Sequence, residues 1–207
     1  MSQIRDIIQS SIQVKEELLH NEAKQAMIHQ IAMTIVASLQ SGGRIYFCGN
    51  GGSAADAQHL AAELSGRFYA DRPALPAEAL HANTSYITAV ANDYSYEVIY
   101  SRIIEGCGKS QDVIIGLSTS GNSPNILRAL KAANELGACS VALTGASGGQ
   151  MKDLARYCLC ADSADTPRIQ ETHILIGHII CQIGEESMIK AKLVEGMHHP
   201  GRRVRNQ

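Results

Sequence analysis

Apolar residues recur at three- and four-residue spacing from Ile4 to about Leu39, with a break around Asn21, and this period predicts two amphipathic helices. They lack a core of their own. After Ser41, Gly42 and Gly43 the pattern switches: Arg44–Cys48, Ala77–Leu80, Asp112–Leu117, Cys139–Leu143 and Tyr157–Cys160 are short apolar runs of strand length separated by helical stretches. Strands apolar on both faces, alternating with helices, predict a parallel sheet covered on both sides. The expected fold class is α/β, a doubly wound five-stranded parallel sheet with two N-terminal helices and a long C-terminal helix. The stretch from Ala82 to Ser110 has room for two helices rather than one. Thr166 as cap and Pro167 in a first turn start the last helix, which runs to about Lys190. The rest, 191–207, carries Gly, Pro and three arginines and reads as a flexible, solvated tail.

Composition narrows the class. With 207 residues, 45% of them hydrophobic, the chain can bury one sizeable core and is short for two. A net charge of -2, two Phe and no Trp supply neither a basic field nor a stacking platform, so nucleic acid is not the expected ligand. No run approaches a membrane span, and Met1–Ser10 shows no apolar signal core, so a cytoplasmic chain without a membrane partner is expected. The six cysteines form no C-x-x-C and sit mostly in apolar runs, as reduced buried thiols do.

Two loops, Gly49–Ser53 (GNGGS) and Ser118–Ser123 (STSGNS), each follow a predicted strand and open a predicted helix. In a parallel sheet that edge is where ligands bind. Ser118, Thr119, Ser120 and Ser123 bring four hydroxyls together, Gly121 permits a tight turn, and Ser123-Pro124 reads as a cap and first turn. Hydroxyls beside the free N–H groups of a helix start suit a phosphate, whereas a capped turn needs only one hydroxyl. In the first loop Ser53 with Asp56 fits a capping box, which would explain the serine without a ligand. Gly49, Gly51 and Ala54 also fit the G-x-G-x-x-A dinucleotide pattern. That pattern wants an acid after the second strand, where this chain has Leu80, His81 and Ala82.

His59, Glu63 and Arg67 fall at four-residue steps along the helix opened by the first loop. A His and a carboxylate one turn apart can share a divalent metal, act as a proton-transfer pair, or form a surface ion-pair row. The last helix places Gln170 and His178 on a broad shared face about 12 Å apart along the axis, with Arg168, Glu171 and His173 nearby. Amid isoleucines a histidine such as His178 is, on its own, more often a hydrogen-bonded core residue than a ligand. Asn92 and Asp93, ending the helix after Thr84, could hold sugar hydroxyls or simply terminate a helix.

In combination, Cys48-Gly-Asn-Gly-Gly-Ser53, His59-x-x-x-Glu63, Gly66-Arg67, Asn92-Asp93, Ser118-Thr-Ser-Gly-Asn-Ser123, Leu143-Thr-Gly145 and Arg168-Ile-Gln-Glu171 with His173 and His178 closely resemble the sugar isomerase (SIS) family, and within it the phosphoheptose isomerases. The resemblance runs from the N-terminal helices to about Lys190. It implies one SIS domain over 1–207, with helices 1–40 used in oligomerisation as a homotetramer whose sites lie at subunit interfaces. It implies conversion of sedoheptulose 7-phosphate, a phosphorylated seven-carbon sugar, to D-glycero-D-manno-heptose 7-phosphate, the first step toward ADP-heptose and the lipopolysaccharide core, with no nucleotide cofactor. The matching residues are Ser118, Thr119, Ser120 and Ser123 for phosphate; Asn50, Gly51, Gly52, Ser53, Glu63, Arg67, Asn92, Asp93 and Gln170 for substrate; Glu63 and His178 for catalysis; and His59, Glu63, Gln170 and His178 for a zinc, one per subunit. Some members carry an acid immediately before Arg-Ile-Gln where this chain has Pro167.

Two other classes share parts of the pattern. Non-catalytic SIS proteins, such as relatives that bind the replication initiator, resemble this chain in fold and first loop but lack the carboxylate and the final-helix histidine that Glu63 and His178 supply here. A nucleotide-dependent oxidoreductase would need the acid after the second strand.

Overall fold

The computed structural model describes residues 2–194 and the backbone of 197–198. Two helices, α1 (Ser2–Leu19) and α2 (Glu22–Gln40), precede β1 (Ile45–Gly49), and Asn21 caps α2 by accepting from Lys24 N. After α3 (Gly52–Ser65) come β2 (Ala70–Asp71), β3 (Ala77–Ala79), α4 (Thr84–Asp93), a 3-10 turn at Tyr96–Val98 and α5 (Ile99–Cys107). The chain continues through β4 (Val113–Ser118), α6 (Pro124–Glu135), β5 (Cys139–Thr144), α7 (Met151–Leu154), β6 (Tyr157–Cys160) and α8 (Thr166–Lys190). Asp165 caps α8, one residue before the expected Thr166, which lies inside the helix.

Five strands pair in parallel in the order β3-β1-β4-β5-β6. Alternation along β1 shows how the sheet is covered on both faces. Ile45 and Phe47 pack with Ile31, Ile35, Leu60, Leu64, Ile176 and Ile180, from α2, α3 and α8. Tyr46 and Cys48 point the other way, into Tyr100, Ile104, Ile126 and Leu130, from α5 and α6. The strand order reverses between β1 and β4, and at such a switch point the loops leaving the carboxyl ends diverge to opposite faces and leave a crevice. The two glycine- and serine-rich loops leave those two strands.

Helix α1 buries only Val14 and Leu18 and is fastened to α8 by polar contacts. Arg168 Nη1 donates to Ile7 O at 2.8 Å, and Ser11 Oγ to Glu171 Oε2 at 2.6 Å. These contacts give the Arg and Glu of the Arg168-Ile-Gln-Glu171 motif a docking role. Ile4, Ile7, Ile8 and Ile12 remain exposed along α1. Cys48, Cys139 and Cys181 are buried as expected, Cys158 and Cys160 are half-buried, and Cys107, in the last turn of α5, is exposed. Of the expected tail, β7 (Met197–His198) pairs antiparallel with β2 and so is tied to the body. Residues 195–196 and 199–207 lie outside the described residues. No helix among the described residues is long and apolar enough to cross a membrane.

Candidate active site at the switch point of the sheet

Gly49 ends β1, and Gly51, at φ +56°, caps α3 in a conformation that glycine alone adopts freely. This moves the helix start two residues ahead of the expected capping box: Ser53 lies buried inside the first turn and makes no cap. Asp56, the other half of that expected box, keeps Oδ2 buried without a partner, and burial pushes its carboxyl up. Gly52 has its own constraint. A Cβ there would fall 2.5 Å from Gln170 Nε2, so the bare backbone lets the α8 amide come against the loop.

The second loop is a hydroxyl cluster. Ser118 Oγ and Ser123 Oγ are hydrogen bonded at 2.8 Å, Ser120 Oγ lies 3.4 Å from Ser118 Oγ, and Asn122 N donates to Ser120 Oγ at 3.2 Å. Ser123 caps α6 with Pro124 in the first turn, as expected, while its hydroxyl turns into the cluster and makes no capping bond. Gly121, at φ +66°, lies so close to the Gly148 carbonyl that any Cβ would collide with it. Met151 N donates to Gly121 O, and Gly145 N to Thr119 O, so the loop after β5 braces the cluster from behind. Thr119 is half-buried and Ser120 exposed.

Away from both loops, α3 and α8 bring three ionisable groups together. His59 Nε2 lies 3.0 Å from Glu63 Oε1 and 3.2 Å from His178 Nε2. The three donor atoms all fall within 4.8 Å of one another. One imidazole nitrogen thus faces both a carboxylate oxygen and a second imidazole nitrogen, and a single N–H cannot satisfy both. Three lone-pair atoms converging in this way suit a shared proton or a cation, and two imidazoles with a carboxylate are a donor set that zinc takes. Burial, and then the neighbouring His59, push His178 below the ordinary histidine range against the opposing pull of Glu63. His59, Glu63 and Arg67 line one open groove of about 610 Å³ with Ala55, Gln58 and Ala62.

The remaining expected residues are placed as follows. Asn92 and Asp93 end α4, exposed, with Asn92 Nδ2 donating to Asp93 Oδ1 at 2.9 Å. Gln170 stands against Gly52 and makes no side-chain hydrogen bond among the described residues. His173 is buried and bonded through Nε2 to Thr144 O at 3.0 Å, a structural place in the core. After β3, where a dinucleotide site would hold an acid, stands His81, a half-buried imidazole that burial pushes down.

Sequence reasoning missed the residues that hold the loops. Tyr100 Oη donates to Gly49 O at 2.6 Å, and Asn125 and Tyr96 both bond the Asn50 side chain. Asn125 left one sign, a polar residue next to the first apolar positions of α6. Nothing local pointed to its partner.

The SIS domain family matches residues 8–145. The phosphoheptose isomerase of Aneurinibacillus thermoaerophilus is 51% identical over 191 residues, 92% of this chain and 96% of the relative. The chain belongs to the phosphoheptose isomerase family. Among solved structures, the phosphoheptose isomerase of Francisella tularensis superposes with a TM-score of 0.85 at 36% identity, covering 89% of this chain and 97% of that one. The Neisseria gonorrhoeae phosphoheptose isomerase gives 0.82 at 37% identity, covering 89% and 98%. The isomerase family, the five-stranded SIS fold and the two flanking sets of helices are thus as the sequence led us to expect.

Proposed function

We propose that the protein interconverts sedoheptulose 7-phosphate and D-glycero-D-manno-heptose 7-phosphate through an enediol, feeding the heptose of lipopolysaccharide or a related glycan. The observation that carries this reading is the convergence of Glu63, His59 and His178 where α3, the helix opened by the first loop, packs on α8. A binding module of the same fold has no use for that acid–base cluster, whereas an aldose–ketose isomerase depends on one.

Ser118, Ser120 and Ser123, with Thr119 and the start of α6, hold the phosphate. Asn50, Gly51 and Gly52 from the first loop, Gln170 from α8, Asn92 and Asp93 from α4, and Arg67 at the groove bind and orient the sugar; Ser53, buried, supports its helix. The chemistry needs no external oxidant. A base removes a proton from C1 of the ketose, the C–H electron pair becomes the C1=C2 bond, and the C2 carbonyl oxygen takes a proton. The reverse transfers at C2 and O1 give the aldose. Glu63 and His178 move these protons, and His59 between them orients both.

His59, Glu63 and His178 are also the groups that would hold a zinc; Gln170, against Gly52, is assigned to substrate. Zinc bound there would polarise the sugar carbonyl or order the site. The exposed isoleucines of α1 support a homotetramer built through the N-terminal helices, and the open groove along α3 supports sites completed by a neighbouring subunit.

The test is incubation of purified protein with sedoheptulose 7-phosphate and analysis of the products, beside Glu63→Gln and His178→Ala. Turnover by the wild type and a loss of about 100-fold or more in each variant is expected. A wild type with no turnover would leave the non-catalytic reading in possession. Turnover unchanged in both variants would keep the activity and remove the assigned acid–base pair.

A further inference from the structure

Asn125 stands in the first turn of α6 and is 2% exposed. Its amide and that of Asn50 exchange two hydrogen bonds across 75 residues of sequence: Asn50 Nδ2 donates to Asn125 Oδ1 at 2.9 Å, and Asn125 Nδ2 donates to Asn50 Oδ1 at 2.8 Å. Ile126 N donates to Asn125 Oδ1 at 3.0 Å, which fixes the orientation of that amide and, through it, the orientation of its partner. Tyr96 Oη adds a third bond to the pair, donating to Asn50 Oδ1 at 3.1 Å. Both lone pairs of each amide oxygen are used. One N–H of each amide makes no hydrogen bond among the described residues.

The pair joins two loops with different tasks. Asn50 lies in the loop that opens α3, the helix of His59 and Glu63, and Tyr100 holds the preceding Gly49 carbonyl at 2.6 Å. Asn125 lies two residues after Ser123, whose hydroxyl belongs to the phosphate cluster. A sugar phosphate that spans the crevice is held at one end by the hydroxyl cluster and reacts at the other, so the offset between the loops decides whether its reacting carbons reach the bases. Buried and free of direct ligand duty, the Asn125 amide sets that offset.

We infer that Asn125 is a positioning residue which, through its reciprocal amide pair with Asn50, locks the sugar-binding loop in register with the phosphate-binding loop and thereby places the reacting carbons at Glu63 and His178. This rests on the isomerase reading above. The two are separable because one concerns whether turnover occurs and the other how turnover is lost.

The experiment compares wild type, Asn125→Asp, Asn125→Ala, Asn50→Ala, the Asn50→Ala/Asn125→Ala double variant and Tyr96→Phe. The readouts are kcat and KM for sedoheptulose 7-phosphate, competitive inhibition by inorganic phosphate, and thermal melting. Asn125→Asp keeps the acceptors but sets two oxygens against each other, and it should lower kcat/KM by about 100-fold, the scale of a 1 Å misplacement. Phosphate inhibition should stay within about threefold, since the hydroxyl cluster is untouched. A protonated Asp again offers an O–H to Asn50, so the ratio of variant to wild-type kcat/KM should rise as pH falls. The double alanine variant should lose no more than the worse single variant, as expected of groups acting as one unit. Should the Asn125 variants fold poorly, Tyr96→Phe removes one exposed hydroxyl from the same pair and should cost about three- to tenfold in kcat/KM with unchanged melting. Additive losses, phosphate affinity falling in step with kcat/KM, or a Tyr96→Phe enzyme equal to wild type would each overturn the inference. A wild type that neither turns over the sugar nor responds to phosphate overturns the isomerase reading and this inference with it.

Discussion

Arg72 Nε donates to Glu185 Oε1 at 2.8 Å, with the two side chains 0% and 2% exposed. The same guanidinium donates to the carbonyls of Glu63 and Leu64, both at 2.9 Å, and so finishes the C-terminal turn of α3. Glu185 Oε2 accepts from Tyr69 N at 2.8 Å and Ala70 N at 2.9 Å. One buried ion pair thus fixes the helix carrying His59 and Glu63 to the helix carrying His178. A buried pair contributes little net stability against an apolar replacement, but removing one partner strands the other charge. Glu185→Gln should destabilise the protein by about 3–5 kcal/mol, read by urea denaturation, and lower kcat as the two helices lose their register. A loss below about 1 kcal/mol would mean that the pair does not brace the site.

The metal reading has a direct measurement. Equilibrium dialysis against zinc, followed by metal analysis, should find about one zinc per chain for the wild type. Glu63→Gln and His178→Ala should each weaken retention by more than the roughly 10- to 100-fold that follows loss of a group supporting a ligand. Equal retention by all three proteins would place any zinc elsewhere.

Ile4 and Ile8, on one face of α1, are 66% and 54% exposed, and with Ile7 and Ile12 they form a stripe at helical spacing. Exposed apolar stripes of this kind mark association surfaces. Light scattering should give a tetramer for the wild type and smaller species for Ile4→Lys/Ile8→Lys. A monomeric wild type would end the assembly reading.

The sheet was legible in the sequence because strands buried on both faces are continuous apolar runs, and every predicted strand of the main sheet falls within two residues of its observed ends. The two residues of β2 and the single turn of α7 are too short to show a period. Ser53 misled for a local reason: its spacing to Asp56 fits a capping box, but the positive φ of Gly51 starts the helix earlier. His59 and Glu63 are visible as neighbours one turn apart, whereas their meeting with His178 depends on how α3 packs on α8. The Asn50–Asn125 and Arg72–Glu185 pairs, 75 and 113 residues apart, are set by tertiary packing alone, and charged or amide residues look like surface until that packing is known.

His173 makes a prediction about stability and pH. Burial pushes its imidazole down to about 4, since Nδ1 is enclosed without a partner and only Nε2 is bonded, to Thr144 O. The unfolded chain takes up this proton below about pH 6.5, while the folded chain refuses it until about pH 4. Where the unfolded state binds more protons, stability rises with pH. The contribution is therefore intact above about pH 6.5 and is lost progressively as pH falls from there to about 4, amounting to about 3 kcal/mol across the window at 1.36 kcal/mol per unit. His173→Gln, which can still donate to Thr144 O but does not titrate, should be less stable than wild type at pH 7 through imperfect packing, and should lose about 2 kcal/mol less than wild type between pH 7 and pH 5. Urea denaturation at the two pH values reads the difference. Parallel losses in the two proteins would show that the acid sensitivity arises from other groups.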